Sequence, residues 1–388
     1  MKPAEGQEQA GPPVATRVPV SLGPRSYEIA IGHGLLPALD RLLPADIRHG
    51  RLAVVADARV AGLFGPILRE ALARLACPVT YLEVPPGEAS KNFRMLERIC
   101  SQLLEAGIAR DDHVLAFGGG MVGDLAGLAA ALVRRGVGLV QIPTTLLAQV
   151  DSAVGGKTAI NMPAGKNLVG SFHQPRLVIS DLDLLATLPA RERRAGLAEV
   201  AKYGLIADES FWAWLTGGGL AAMDAGKKEA LLHGIATSCR IKADIVAADE
   251  REESGRRFLL NLGHSFAHAL EKAVRYDSAR LLHGEAVAVG LVLAAELSAA
   301  LGHAEPVLAE EVAGALAAIG LPTTIAQAFG DDRPTAAGLM AAMGQDKKIR
   351  AGRLRFVLLE RPGRAFVTAE VDPQRVAAIL VRSGARQG

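Results

Sequence analysis

The chain reads as an α/β protein, with an N-terminal doubly wound, mostly parallel Rossmann-like sheet followed by a mainly helical C-terminal domain. Three observations predict this. Up to about residue 188, short runs apolar on both faces alternate with helical patterns, as strands covered by helices on each side require. After Leu188-Pro189 the strand-like runs nearly vanish, and Ala/Leu-rich segments with a 3.6-residue period take over. The length of 388 residues exceeds what one core usually supports, so two domains are expected, over 18–188 and 189–388.

Residues 1–17 carry Pro, Gly and charge but no apolar run, and are expected to be a disordered leader rather than a signal peptide. Strands are expected at 51–56, 79–84, 113–117, 138–142 and 176–180, each followed by turn residues, with helices over 93–106 and 124–134 between them. The stretches 151–158 and 165–175 are expected to be long polar loops. Helices are then expected at 192–203, 227–248, 264–273, 285–300 and 308–319, with one late strand at 353–359. The longest apolar run, 286–295, is bounded by Glu285 and Glu296. It is well short of the ~20 residues of a membrane span, so no membrane is expected.

With 43 basic and 41 acidic side chains the formal net charge is +2, and no global field favours nucleic acid or membrane. An anionic ligand must then be held by local clusters of cations. Cys77, Cys100 and Cys239 are dispersed and form no C-x-x-C pair, which fits reduced thiols in the cytoplasm.

Gly118-Gly119-Gly120-Met121-Val122-Gly123-Asp124 fits G-x-G-x-x-G and follows an expected strand. Glycines let the backbone approach a dinucleotide pyrophosphate, and the following helix aims its N-terminal amides at the anion. The turn belongs to a third or fourth βα unit, and about 20 residues on stands Pro143-Thr144-Thr145 rather than an acidic ribose partner. The same turn could serve simply to pack a helix on the sheet. Asp57, ending the first expected strand, is a candidate ribose ligand, and Pro86-Gly87-Glu88-Ala89-Ser90-Lys91 follows the second.

His264, His268, His283 and Glu285 fall in one short window, and Glu199 lies upstream in an Ala/Leu-rich helical context. Two nitrogens and a carboxylate oxygen can complete three corners of a metal tetrahedron and leave the fourth open, as catalytic sites do. Spacing alone puts His264 and His268 on one helical face as joint ligands. A metal would offset the cost of burying Glu199; so would a pairing with Lys202 at i+3. Each histidine taken singly could equally be a hydrogen-bonded core residue. The stretches Asp151-Ser152-Ala153-Val154-Gly155-Gly156-Lys157-Thr158 and Gly165-Lys166-Asn167 supply cations and donors for phosphate or carboxylate. Gly-Gly-Lys-Thr fails the full P-loop spacing because position 151 is Asp, which argues against nucleotide hydrolysis. Arg135, Lys202, Lys242, Arg257 and Lys347 are further cations near the motifs, each open to the alternative of a solvated surface charge.

Taken together, 118–124, 151–158, 165–175, 196–204, 261–268, 283–285 and Asp346-Lys347-Lys348 resemble 3-dehydroquinate synthases, within the sugar-phosphate cyclases, from about residue 18 onward. The resemblance implies Glu199, His264 and His283 as ligands of one divalent metal (zinc or cobalt), with His268 a non-ligand histidine of the active site. It assigns Lys157, Lys166, Asn167, Lys202, Lys242, Arg257, Asn261, His268 and Lys347 (or Lys348) to the substrate. It assigns Pro86, Gly87, Glu88, Ala89, Ser90, Lys91, Gly120, Met121, Val122, Gly123, Asp124, Thr144, Thr145, Lys157, Lys166, Leu184, Leu185, Ala186 and Thr187 to NAD, and Asp57 and Asp151 are placed with them. Arg135 matches an arginine that reaches the substrate phosphate from a neighbouring subunit, which implies a homodimer. The implied reaction converts a phosphorylated sugar acid, 3-deoxy-D-arabino-heptulosonate 7-phosphate, to 3-dehydroquinate and phosphate, with NAD restored in each turnover. A related cyclase making a cyclitol, or a metal-dependent polyol dehydrogenase, is the alternative.

Overall fold

The computed structural model describes residues 14–344, 349–350 and 353–387, so Lys347 and Lys348 lie outside the described residues. The strands are β1 (Val14–Val20), β2 (Tyr27–Gly32), β3 (Leu52–Asp57), β4 (Val79–Val84), β5 (His113–Gly118), β6 (Gly138–Pro143), β7 (Lys157–Met162), β8 (Gly165–Phe172) and β9 (Leu177–Asp181). Seven of them form one sheet in the order β1-β2-β9-β6-β5-β3-β4. β3 pairs in parallel with both β4 and β5, β5 with β6, and β9 with both β6 and β2. The chain leaves β3 for β4 on one side and returns to β5 on the other. The carboxyl ends of β3 and β5 therefore flank a switch point, where open α/β sheets leave a crevice for ligands. Val55, Val114 and Ala116 of these strands pack with Leu96, Ile99 and Leu103 of the helix Phe93–Glu105 and with Leu125 of the helix Gly120–Leu132.

The expected leader and polar loops need correction. The expected leader over 1–17 overlaps β1 at residues 14–17, whose alternating exposure is that of a strand with one covered face. Short alternation broken by Pro19 hid it, and residues 1–13 lie outside the described residues. The expected loops at 151–158 and 165–175 contain the two-stranded β7–β8 sheet. There the strands approach so closely that a Cβ on Gly170 would lie 2.0 Å from the Thr158 carbonyl oxygen.

The chain forms two compact units that interleave in sequence. Of the described residues, the first is built from Val14–Arg17, Glu28–Thr144 and Thr158–Asp183, the second from Val18–Tyr27, Thr145–Lys157 and Leu184 onward. A single boundary near 188 leaves out the two earlier segments of the second unit. Its helices include Ala190–Ala207, Lys228–Ala248, His264–Ala273 and His283–Ala300. The last has a mean hydropathy of 1.3 over 18 residues, longer than the apolar run suggests, but 72% of it is buried in the protein as a core helix is. The expected late strand is a hairpin, Phe356–Arg361 paired antiparallel with Arg364–Thr368.

Candidate functional site

In the first unit, Gly119 is the N-cap of the helix Gly120–Leu132, so the Gly118–Asp124 turn opens directly into helical amides at the end of β5. A Cβ on Gly118 would press to 2.9 Å from Val122 and 3.2 Å from the Asp57 Cβ, so a larger residue would part the turn from β3. Asp57 itself caps the helix after β3, accepting from the Arg59 and Val60 amides at 2.9 and 3.3 Å. Val122 is core and Met121 packs against that core, while Gly120, Gly123 and Asp124 are half-buried. Pro86, Gly87 and Ala89 are exposed, Glu88 is half-buried, and Ser90 and Lys91 are buried.

Lys91 organises this region. Its Nζ donates to Asp124 Oδ2 and Asn167 Oδ1, both at 2.5 Å, and lies 4.0 Å from Glu88. Burial opposes its charge, but Asp124 and Glu88 outweigh it and raise its pKa. Asn161 links the same groups, donating to Glu88 at 2.7 Å and accepting from the Asn167 amide at 3.0 Å. Asn167 needs that support because it sits at φ +54. Lys166 precedes it on β8, half-buried. Thr144 is buried with its amide on the Gly118 carbonyl at 3.0 Å. Arg134 and Arg135 follow the helix in left-handed conformations, and Arg135 is exposed.

In the second unit, Glu199, His264 and His283 bring one ligand atom each within 4.8 Å of one another. His264 Nε2 and His283 Nε2 lie 3.2 and 3.3 Å from the same oxygen, Glu199 Oε1. Glycines permit this. A Cβ on Gly290 would stand 2.2 Å from the Gly263 carbonyl oxygen, and one on Gly284 1.9 Å from that of Ala195. Only bare backbones let the helices bearing His264, His283 and Glu199 close to this distance.

The histidines' outer nitrogens decide what the inner ones do. His264 Nδ1 meets the Leu262 carbonyl at 3.0 Å and His283 Nδ1 meets Glu271 Oε2 at 3.1 Å, both acceptors, so each Nδ1 must donate. In neutral rings both Nε2 lone pairs then face a carboxylate oxygen, which is repulsive unless positive charge lies between. Glu199 is fully buried and neither oxygen makes a well-directed hydrogen bond. Burial lowers the pKa of His264 to about 4; for His283 burial acts the same way, yet Glu271 outweighs it and raises the pKa to about 10. The point between Glu199 Oε1 and the two Nε2 atoms thus favours positive charge, which a proton on His283 supplies in the protein alone. A divalent ion fits the donor set and would displace that proton.

Cations line the same cluster. Lys202, buried, pairs with Glu199 and lies 3.9 Å from Asp151, so both weighed explanations of Glu199 meet at one carboxylate. Burial opposes the Lys202 charge, but Glu199 outweighs it and raises its pKa. Asp151 Oδ1 accepts from Lys242 at 2.6 Å and from the Tyr203 hydroxyl at 2.8 Å, which places Asp151 in the second unit's charge network. There Lys242 and Lys202 overcome burial and hold the Asp151 carboxyl well below the usual range. Lys157 pairs with Glu252. Arg257, 1% exposed, donates to the Gly155 carbonyl at 2.8 Å. Asn261 donates to the Phe258 carbonyl at 3.1 Å. The His268 ring lies 5.7 Å from that of His264, and His268 is outside the ligand group that spacing alone gave it. Glu285 turns away to Arg191 at 2.7 and 2.8 Å. Leu184 and Leu185 are core, whereas Ala186 and Thr187 are exposed and Thr145 caps the turn at Ala148. Sequence reasoning missed Glu271 and Tyr203. Glu271 had a signal, seven residues after His264 on the same face of its helix.

Comparison with known proteins bears on both units. The family model described as 3-dehydroquinate synthase N-terminal matches residues 81–195, and that described as 3-dehydroquinate synthase C-terminal matches 196–349. A 3-dehydroquinate synthase of Nitrobacter winogradskyi is 51% identical over 94% of this chain and 95% of its own. Among solved structures, a 2-epi-5-epi-valiolone synthase of Streptomyces hygroscopicus with NAD+ and Zn2+ bound aligns with a TM-score of 0.83 at 29% identity, covering 94% of this chain and 98% of that one. A 2-deoxy-scyllo-inosose synthase complexed with carbaglucose-6-phosphate, NAD+ and Co2+ aligns with a TM-score of 0.84 at 25% identity, covering 94% and 99%.

Proposed function

The chain belongs to the 3-dehydroquinate synthase family, and from that premise we infer how its two polar clusters share one reaction. The activity is formation of 3-dehydroquinate with loss of phosphate. In this reading the substrate is 3-deoxy-D-arabino-heptulosonate 7-phosphate, and NAD and one divalent metal complete the enzyme. When bound, the metal makes a secondary hydroxyl more acidic, and NAD accepts a hydride that returns within the turnover, leaving the neighbouring C–H acidic in between.

Glu199, His264 and His283 would hold the metal, with Glu271 fixing the His283 ring. Lys202 and Lys242, held by Asp151, would present donors to substrate oxygens. Lys157, Arg257 and Asn261 would bind and orient the anionic groups, with Lys166, Asn167 and Lys347 (or Lys348) adding to the phosphate cradle and His268 near the reacting carbons. Asp57, 86–91, 120–124, Thr144, Thr145, Asp151 and 184–187 would hold NAD. Arg135 would complete the site of a second copy in a homodimer. Three free cysteines support a cytoplasmic setting.

One observation carries the reading: the Glu199–His264–His283 convergence lies beside four lysine and arginine cations. Lys157, Lys202, Lys242 and Arg257 face Glu199, Asp151, Glu252 and Glu271, which balances before any metal. A divalent ion would leave about two positive charges. A phosphate with a carboxylate carries about three negative charges, which would draw on them and on the cations' spare donors. A polyol dehydrogenase has no use for so many cations.

The test supplies the heptulosonate phosphate with zinc or cobalt and NAD far below the substrate concentration. Many equivalents of phosphate per NAD are expected, with a product of the mass of 3-dehydroquinate. One equivalent of NADH accumulating without phosphate release would overturn the reading.

A further inference from the structure

The segment Val18–Tyr27 belongs to the second unit, and its polar contacts lead to Arg257. The buried Tyr27 hydroxyl accepts the Gly155 amide at 2.9 Å, and the Gly155 carbonyl accepts Arg257 Nη2 at 2.8 Å. At the other end of the guanidinium, Nη1 donates to the Glu250 carbonyl. The Glu250 carboxylate holds Arg25 by contacts of 2.5 and 3.2 Å. Glu252 pairs with Lys157 and lies 4.0 Å from Arg257 Nε. Gly155, at φ +94, has no room for a side chain, since a Cβ would stand 2.6 Å from Arg257 Nη2.

We propose that Arg25 and Tyr27 form a positioning brace for the anion clamp of Lys157 and Arg257. Tyr27 fixes the peptide entering Gly155 while Arg257 holds the one leaving it, so the turn that delivers Lys157 is set from both sides. Each outer nitrogen of Arg257 is anchored to a backbone carbonyl backed by this segment, and the guanidinium plane cannot swing. With its plane fixed, the guanidinium would meet a phosphate or carboxylate of the substrate in one orientation. The inference rests on the reading of Lys157 and Arg257 as substrate residues.

Tyr27→Phe keeps the ring and removes the hydroxyl. We expect KM for the phosphorylated substrate to rise about tenfold while kcat stays within about threefold, as for an interaction made equally in ground and transition states. Metal content and NAD affinity should not change. Arg257→Lys should raise KM as well, and in that background Tyr27→Phe should add less than about twofold, because the two act on one clamp. If Arg257→Lys leaves KM unchanged, the reading of the substrate site fails. If Arg257→Lys raises KM but Tyr27→Phe does not, or if the two effects multiply in full, the brace alone is overturned. Should Tyr27→Phe fail to fold, Arg25→Gln at the surface loosens the other arm. It is expected to raise KM about twofold, in line with an exposed pair, and an unchanged KM there overturns the inference.

Discussion

Lys91 in the first unit and Lys202 in the second are both buried lysines facing carboxylates, and the surroundings of the two differ in kind. Around Lys91 the charges and amides of Asp124, Asn167, Asn161 and Glu88 close on one another at hydrogen-bond distance. Around Lys202 the network stays open, with two ring nitrogens aimed at one carboxylate oxygen. A polar cluster that closes on itself stiffens the loops that carry it before any ligand arrives, whereas one that turns several donors to a single point leaves a place for an ion. The two buried lysines differ in electrostatic closure.

The sharpest way to break this comparison is to remove a proposed ligand. His283→Ala should abolish metal content and reduce turnover by more than about a thousandfold, and full metal occupancy in that protein would show that the open network has another cause. Glu271→Gln keeps all three proposed ligands and loosens one ring. Metal affinity should fall about 10- to 100-fold in a competition titration with a chelator. An unchanged affinity would leave Glu271 a bystander.

The first unit should respond in stability. Lys91→Met leaves Asp124 without its buried partner and should cost about 3 kcal/mol in urea unfolding of that unit, while metal affinity is retained. Equal loss from both measurements would erase the distinction between the clusters. The smallest effect concerns pH. Burial lowers the pKa of His113 and His173, both in the first unit, below the ordinary 6.5. The unfolded chain therefore takes up protons more readily, and stability present above 6.5 is lost as pH falls from there through the lowered values. Protection factors of amides in β5 and β6, the intrinsic pH dependence of exchange divided out, should fall over that range, and a His113→Gln, His173→Gln protein should flatten the dependence. A flat profile in the parent chain would count against it.

The helical unit and the sheet were legible because their signals are local. Alternation of strand and helix marked β3, β4, β5, β6 and β9, and the window from His264 to His283 held two of the proposed ligands on adjoining elements. The missing parts depend on remote partners. Nothing near Tyr27 signals Gly155, and Asp151 reads as a loop residue until Lys242 and Tyr203 arrive from other helices. The glycine turn looked misplaced by its position in the chain. It lies at the sheet's switch point, which strand order creates and residue number conceals. β1 and the β7–β8 pair were missed because their alternation is short or polar.

The interleaving of the units has a consequence for synthesis. Arg25 and its partner Glu250 are 225 residues apart in the chain. At about 5–20 residues per second, ribosomes need on the order of 10–45 seconds to deliver the second after the first. Val18–Val20 have their sheet neighbour β2 early in that time, and β9 completes the sheet once residue 181 is made. Tyr27 meets Gly155 before then, but Arg25 waits for Glu250, so the surface arm of the brace closes last.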